Sequence, residues 1–188
     1  MSKIQNIPKD AKLVFEGKIF DVFQWEQVLF DGSIKTFEKL KRADSVNVIC
    51  ITKNQKILLI RQQQPNTNIF WSLVGGGIEN SETSIECVKR ELLEETGYIL
   101  DNWKLWKISS ISPKIDYSIH TFICYDAINI NSQKLDNGEK IEVFELEYKE
   151  FEDIVLSDDF FGQDIKYAIM ESKLYSEKEN NLIKLIHV

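Results

Sequence analysis

Apolar and polar residues alternate with two periods along this chain, and their order predicts strands interrupted by a few helices. The first segment, residues 1–42, is predicted to form strands at 12–16, 19–29 and 33–42, with Asp31-Gly32 as the hairpin turn between the last two. Many of its residues are apolar: Phe20, Val22, Phe23, Trp25, Val28, Leu29 and Phe30. Packing into the core is one interpretation of them. An interface between two copies of the chain is the other, since long apolar strands are hazardous unless covered.

Residues 43–188 predict a mixed sheet with helices. Strands are expected at 45–52, 56–61, 70–74, 103–110, 118–127, 141–146 and 182–188, and helices at 83–96, 149–156 and 164–175. The continuous apolar run at 57–60 indicates a strand buried on both faces. Thr83 followed by Glu86 is a capping box, and Gly97 ends the same helix. We predict one α+β domain over residues 1–188, in which 43–188 form the core and 1–42 add antiparallel strands.

Charge and composition restrict the function. With 23 Lys and Arg residues against 30 Asp and Glu residues, the chain has a formal net charge of −7. A general grip on nucleic acid requires excess basic residues, so no nucleic-acid partner is expected. Apolar runs are shorter than a membrane span and residues 2–12 are polar, which predicts a cytoplasmic protein without membrane contact. Cys50, Cys87 and Cys124 lie among apolar residues and are predicted to be buried free thiols.

The chemistry is concentrated on the predicted helix at 83–96. Glu91, Glu94 and Glu95 lie within a sector of about 100°, away from its apolar side. Carboxylates spaced i,i+4 repel one another, and near the C-terminal end they also oppose the helix dipole. A divalent cation would reverse that cost, because hard cations take oxygen ligands. A solvated acidic face is the alternative interpretation, and for Arg90 the alternative is an i,i+4 ion pair with Glu94.

Combined spacing is more informative than any of these features alone. The segment 76–98 resembles the Nudix box, G-x5-E-x7-R-E-U-x-E-E-x-G-U with U bulky and apolar, at Gly76, Glu82, Arg90, Glu91, Leu92, Glu94, Glu95, Gly97 and Tyr98. All seven fixed positions match, and Tyr98 is a mild departure at the last apolar position. The resemblance implies a Nudix fold, a mixed β-sheet sandwiched between helices, that binds Mg²⁺ or Mn²⁺.

The same resemblance implies roles for individual residues. Metal ligands are implied at Glu91, Glu94, Glu95, Glu82 and the backbone carbonyl of Gly75. Glu95 and Glu94 would be catalytic, together with Arg90, which would hold a glutamate in place by a charge-assisted hydrogen bond. The substrate would be a nucleoside diphosphate linked to another moiety, and water would attack one phosphorus.

The N-terminal half resembles the ADP-ribose pyrophosphatase branch of that family, through residues 16–20, Asp31-Gly32, Lys41-Arg42, Arg61-Gln62 and Pro113. This implies ADP-ribose or a related nucleotide sugar as substrate, with contacts from Arg42, Arg61 and Pro113. It also implies a homodimer joined through the N-terminal strands. Departures from the branch at Gln64, Lys114 and Ser118 leave GDP-sugars and other ADP compounds open.

A general base is expected from the loop ahead of the strand at 141–146, as in related enzymes. Glu139 is our candidate, with a plain turn glutamate as the alternative interpretation and Glu142 as the second choice. His120 lies in an apolar strand and is predicted to belong to the core. Two other functions stay open: a nucleoside triphosphate pyrophosphohydrolase of the MutT kind, and a non-catalytic nucleotide-binding Nudix module.

Overall fold

A computed structural model describes residues 7–130, 133–135, 137–175, 177 and 181–186 of the chain. Its strands are β1 (Lys12–Glu16), β2 (Asp21–Val28), β3 (Ile34–Lys41), β4 (Ser45–Thr52), β5 (Ile57–Gln63), β6 (Phe70–Ser72), β7 (Tyr98–Ile99), β8 (Asn102–Ser109), β9 (Ile115–Asp116), β10 (Ile119–Asn129), β11 (Lys140–Leu146) and β12 (Phe160–Phe161). Its helices are α1 (Ser84–Thr96), α2 (Tyr148–Leu156), α3 (Gln163–Leu174) and α4 (Leu182–Ile186).

The larger of two sheets carries the core on both faces. Its strands follow the order β12-β6-β5-β4-β10-β7, with β11 paired to β5 and β8 paired to β10. Val88 and Leu92 of α1 pack on one face, whereas Phe151 of α2, Ile165 of α3 and Leu182 of α4 pack on the other. The mixed sheet is therefore sandwiched between helices, which confirms the predicted fold class.

Strand β5 confirms the prediction made from its continuous apolar run. Leu58 and Ile60 belong to the buried cluster beneath α1, and Ile57 and Leu59 belong to the cluster beneath α2, α3 and α4. Successive side chains on a strand point to opposite faces, so a strand covered on both sides has no polar position to alternate with.

The N-terminal strands form a second, smaller sheet. β2 pairs with β3 in antiparallel register from Asp21↔Lys41 to Val28↔Ile34, and β1 adds to the outer side of β2. The hairpin turns at Gly32, whose φ is +82°. β9, which lies far along the chain, joins β3 in the parallel direction and links this sheet to the segment that leads into β10. The extra antiparallel strand set is thus confirmed.

Core packing is the wrong interpretation for the apolar residues of this N-terminal sheet. Among the described residues, neither buried cluster includes a member of the segment 12–42. Of the seven apolar residues named for this segment, three are exposed and four are half-buried outside both clusters: Phe20, Val28 and Phe30, and Val22, Phe23, Trp25 and Leu29. The physical reason is topological: these strands pair with one another and with β9, and not with the large sheet.

A strand over 182–188 is also wrong, as far as the structure describes that segment. Residues 182–186 form helix α4, and 187–188 lie outside the described residues. Leu182 and Ile186 are both buried, and four-residue spacing places them on one face of a helix. The Oδ1 of Asn181 accepts the backbone N–H of Lys184, which is an N-terminal cap.

Three smaller predictions have mixed outcomes. Cys50, Cys87 and Cys124 are buried free thiols, as predicted. His120 is half-buried and does not belong to the core, because it lies at the start of β10, where its Nε2 is 3.5 Å from an Asp44 carboxylate oxygen. Within the described ranges, no helix is long and apolar enough to cross a membrane.

Candidate active site

A polar cleft of about 340 Å³ lies where helix α1 meets the glycine loop after β6 and the segment before β11. Acidic residues dominate its lining. Helix α1 contributes Arg90, Glu91, Glu94 and Glu95; the loop contributes Gly75, Gly76, Gly77 and Glu79; β5 contributes Gln62, with Gln64 just beyond its end; and the segment before β11 contributes Lys134, Leu135 and Glu139.

The predicted capping signals place α1 in this cleft with its acids at the end of the helix. The Thr83 hydroxyl accepts the Glu86 backbone N–H, and the Glu86 carboxylate accepts the Thr83 backbone N–H at 2.8 Å. Gly97 ends the helix with a φ of +72°, and its N–H donates to the Leu93 carbonyl. The last helical turn contains no basic residue to offset the dipole or the carboxylates.

The glycine loop approaches the helix so closely that Gly76 leaves no room for a side chain. A Cβ at Gly76 would lie 2.1 Å from Oε1 of Glu91. The loop itself is held by the backbone N–H of Val46, which donates to the Gly76 carbonyl at 2.9 Å. The first glycine of the box is therefore needed for close packing against a carboxylate, and not for positive φ.

Arg90 holds the acids of the helix and loop together. Its Nε and Nη2 donate to the two carboxylate oxygens of Glu82 at 2.9 and 3.0 Å. Its Nη1 donates to Glu91 at 2.8 Å and to Glu94 at 3.2 Å, and Nη2 also donates to the Gly77 carbonyl at 3.1 Å. The i,i+4 pair with Glu94 is thus one contact of several. Hydrogen bonds from Arg90 lower the pKa of Glu82.

Glu95 is the most enclosed of the acids on α1, with 5% of its surface exposed. Its Oε2 accepts the backbone N–H of Gly75 at 3.0 Å. The pKa of this carboxyl is raised to about 8, chiefly by burial and also by the charges of Glu91, Glu139 and Glu94, against the lowering effect of the Gly75 hydrogen bond. Burial also raises the pKa of Glu91, against the lowering effect of Arg90. The protein holds several carboxylates together at an electrostatic cost.

This donor set fits a hard divalent cation. The cleft offers carboxylate and backbone oxygens, which are the ligands that Mg²⁺ and Mn²⁺ take, and a cation would offset the cost of burying Glu95. The types of ligand atom fit such a cation better than their present positions do. Among the described residues, no three acids are already grouped so as to hold a metal ion. Glu82, Glu91 and Glu94 instead face Arg90.

The structure separates the sequence-predicted site residues into two groups. The cleft brings together Gly75, Arg90, Glu91, Glu94, Glu95 and Glu139. Glu82 does not line it and contacts Arg90 instead. The alternative base Glu142 is 3.8 Å from Arg61, an exposed ion pair outside the cleft.

The three predicted substrate contacts also lie outside the cleft of this chain. Arg61 forms an exposed ion pair with Glu142, and Pro113 lies in an exposed turn. The guanidinium carbon of Arg42 lies 4.5 Å from the centre of the Tyr117 ring and 5.6 Å from that of Phe20. A role of these residues in substrate binding stays a prediction.

Sequence reasoning missed Gln62, Gln64, Lys134 and Leu135 as lining residues. No local pattern marks them, since β5 and the segment before β11 reach the helix only through the fold. The resemblance to the ADP-ribose pyrophosphatase branch includes Arg61-Gln62, but the glutamine, and not the arginine, lines the cleft. Lys134 carries no motif of its own.

Comparison with known proteins agrees with this fold. The model of the Nudix domain family matches residues 41–167, which is more than half of the chain. The chain therefore belongs to the Nudix family, and it is a hydrolase of that family.

Two curated relatives and one solved structure extend the comparison. The ADP-ribose pyrophosphatase of Bacillus subtilis (strain 168) is 28% identical over 166 residues, which cover 86% of this chain and 89% of the relative. The methanol dehydrogenase activator of Bacillus methanolicus is 28% identical over 137 residues, or 71% of this chain and 74% of the relative. A crystal structure described as an ADP compounds hydrolase has a TM-score of 0.68 at 16% identity and covers 92% of this chain and 95% of its own.

Proposed function

We propose that this Nudix hydrolase cleaves the diphosphate linkage of ADP-ribose or a related nucleotide sugar, giving a nucleoside monophosphate and a sugar phosphate. The observation that carries the proposal is the convergence of Glu91, Glu94, Glu95 and Glu139 on one polar cleft. The similarity to the ADP-ribose pyrophosphatase of Bacillus subtilis supports the substrate class, because it extends over most of the chain and not over the box alone.

Mg²⁺, or Mn²⁺ in its place, is the proposed cofactor. Glu91, Glu94 and Glu95 would hold it, with the Gly75 carbonyl and Glu82 as further candidates. A metal bound there would polarise a phosphoryl oxygen and lower the pKa of a bound water. Oxygen donors around a buried carboxylate support this assignment.

The protein's own residues have distinct proposed roles around that chemistry. Glu139 lines the same cleft as the acids of α1 and is proposed to accept a proton from the attacking water. Arg90 contacts three glutamates and is proposed as a positioning residue that keeps Glu91 and Glu94 at the cleft. Glu82 in turn holds the guanidinium group by two hydrogen bonds.

A substrate panel tests the proposal directly. Purified protein with Mg²⁺ is incubated with ADP-ribose, other nucleotide sugars and nucleoside triphosphates, and the products are separated by chromatography. We expect AMP and ribose 5-phosphate from ADP-ribose, and loss of turnover when EDTA removes the metal. Pyrophosphate released from a nucleoside triphosphate would indicate the MutT kind of reaction, and binding without turnover would indicate a non-catalytic module. Either of those results contradicts the proposal.

We further propose that the protein is a homodimer joined through its N-terminal sheet. Leu13, Phe15, Val28, Phe30 and Ile34 of this sheet and its hairpin are exposed in the single chain. Long exposed apolar strands are normally covered, and a second copy of the same sheet is the partner implied by the resemblance to the ADP-ribose pyrophosphatase branch.

Charge substitution on the N-terminal sheet tests the dimer. Ile34→Lys is expected to give a monomer in sedimentation or light-scattering measurements. In a dimer, the ammonium group of the new lysine would be buried without a hydrogen-bond or charge partner. Leu174→Lys is the control, since Leu174 is an exposed apolar residue on α3, outside that sheet. A wild-type protein that sediments as a monomer at micromolar concentration would refute the dimer.

A further inference from the structure

The cleft must accept an anionic diphosphate although most of its ionisable lining is acidic. Among the described residues that line it, Arg90 and Lys134 are the basic ones. A guanidinium group has five N–H donors, and those of Arg90 already contact Glu82, Glu91, Glu94 and the Gly77 carbonyl. Arg90 therefore gains a phosphate contact only by giving up one of these bonds.

Lys134 is in a different position. It is an exposed residue that lines the cleft, and within the described part of the chain its ammonium group forms no ion pair. The ammonium group of a lysine has three donors and a compact charge, which suit single phosphate oxygens. The β5 side of the cleft offers the neutral amides of Gln62 and Gln64, so it supplies no cation of its own.

The backbone beneath Lys134 is fixed to the end of the acidic helix. The N–H of Lys134 donates to the Glu94 carbonyl at 2.8 Å. The side-chain amide of its neighbour Gln133 donates to the backbone carbonyl of Glu95 at 2.5 Å and to that of Ile141 at 3.2 Å. The bonds to Glu94 and Glu95 satisfy carbonyls that a helix end leaves without partners, and they set the position of Lys134 relative to the acids.

We propose that Lys134 is a substrate-binding residue whose ammonium group donates charge-assisted hydrogen bonds to the diphosphate, with Gln133 as a positioning residue. The inference deepens the proposed function and rests on it. It assigns the anion contact to the segment before β11, which also carries Glu139, so that one segment contributes both the proposed base and a phosphate ligand.

Steady-state kinetics with ADP-ribose and Mg²⁺ test this assignment. Lys134→Gln is expected to raise KM about tenfold, which is the loss of one hydrogen bond to a charged group, while kcat is nearly unchanged. Lys140→Gln is the matched control, because it removes the same charge from the start of β11 outside the cleft. The difference in KM should narrow in added salt. Equal KM values for the two variants would overturn the proposal.

Equilibrium binding separates this inference from the proposed function. If the wild type hydrolyses no compound of the panel, the proposed function fails and Lys134 is tested with ADP and Mg²⁺ by calorimetry. About tenfold weaker binding by Lys134→Gln than by Lys140→Gln would support a diphosphate contact. Equal dissociation constants, or no ADP binding by the wild type, would overturn it.

A double-mutant cycle tests the positioning role of Gln133. Gln133→Ala should raise KM when Lys134 is present and have little further effect when Lys134 is already Gln, because the two residues act through one contact. Additive effects on KM would show that Gln133 does not act through Lys134.

Discussion

Replacing Glu95 with Gln is expected to lower kcat on the order of 10²- to 10³-fold, the range observed when one group that stabilises transition-state charge is removed. Glu95 is almost fully buried beside Gly75, with Glu91, Glu94 and Glu139 near it. Gln keeps the size of the side chain and can still accept the Gly75 N–H, but it contributes no negative charge to a metal site. The measurement is kcat for ADP-ribose at saturating Mg²⁺.

Although Glu95→Gln should lower activity, it should raise the stability of the metal-free protein at alkaline pH. Burial raises the pKa of Glu95 to about 8 from its ordinary value of 4.5. Between these two pH values the folded protein keeps a proton that the unfolded chain has lost, so its stability falls as pH rises. Gln has no such dependence. The Tm of the metal-free variant should therefore exceed that of the wild type above pH 8, and the difference should shrink towards pH 5.

Asp101→Asn provides the control for Glu95→Gln. It makes the same change from carboxylate to amide at an exposed residue beyond the end of α1 and outside the cleft. Its activity and its Tm should follow those of the wild type. A fully active Glu95→Gln enzyme would exclude Glu95 as a metal ligand, and a Tm that falls below that of the wild type at alkaline pH would contradict the electrostatic argument.

Gly76→Ala is expected to lower kcat/KM on the order of 10- to 100-fold while the protein still folds. The new Cβ would lie 2.1 Å from Glu91 Oε1 and 2.5 Å from its Cδ. The backbone of the loop is held by Val46, so the flexible end of Glu91 must move. Displacing the Glu91 carboxylate is comparable to removing a residue that hydrogen-bonds to a metal ligand and orients it. That comparison sets the expected loss of activity.

The two neighbouring glycines separate this effect from general damage to the loop. A Cβ at Gly77 meets no atom within 4 Å, so Gly77→Ala should be as active and as stable as the wild type. A Cβ at Gly75 would lie 2.1 Å from the backbone carbonyl oxygen of Val46. Because backbone cannot move as a side chain does, Gly75→Ala should lower Tm.

Measuring activity and thermal melting of the three glycine variants together tests whether the close approach of Gly76 to Glu91 is needed for the reaction. Three different outcomes are expected from three adjacent residues: lost stability at Gly75, lost activity at Gly76, and no change at Gly77. If Gly76→Ala is as active as Gly77→Ala, the position of Glu91 against the loop is not required for the reaction.

Much of the fold could be predicted from the sequence, because its signals act over short distances. The capping box at Thr83 and the glycine at Gly97 set the bounds of α1 through hydrogen bonds within a few residues. The apolar run at 57–60 predicted a strand buried on both faces for a similarly local reason. At 182–188 the local pattern was misread, since two buried residues four positions apart suit a helix that packs against α3.

Only the tertiary structure decided which side chains meet at the site. The spacing of Glu91, Glu94 and Glu95 on one helix predicted the acidic cluster, and residue type predicted its affinity for cations. The hydrogen bonds from Arg90 to Glu82 and to the Gly77 carbonyl depend on a loop folding back over the helix. The places of Glu139 and Lys134 in the cleft, and the exposure of the N-terminal apolar residues, depend on strand pairing between distant segments, which no local pattern specifies.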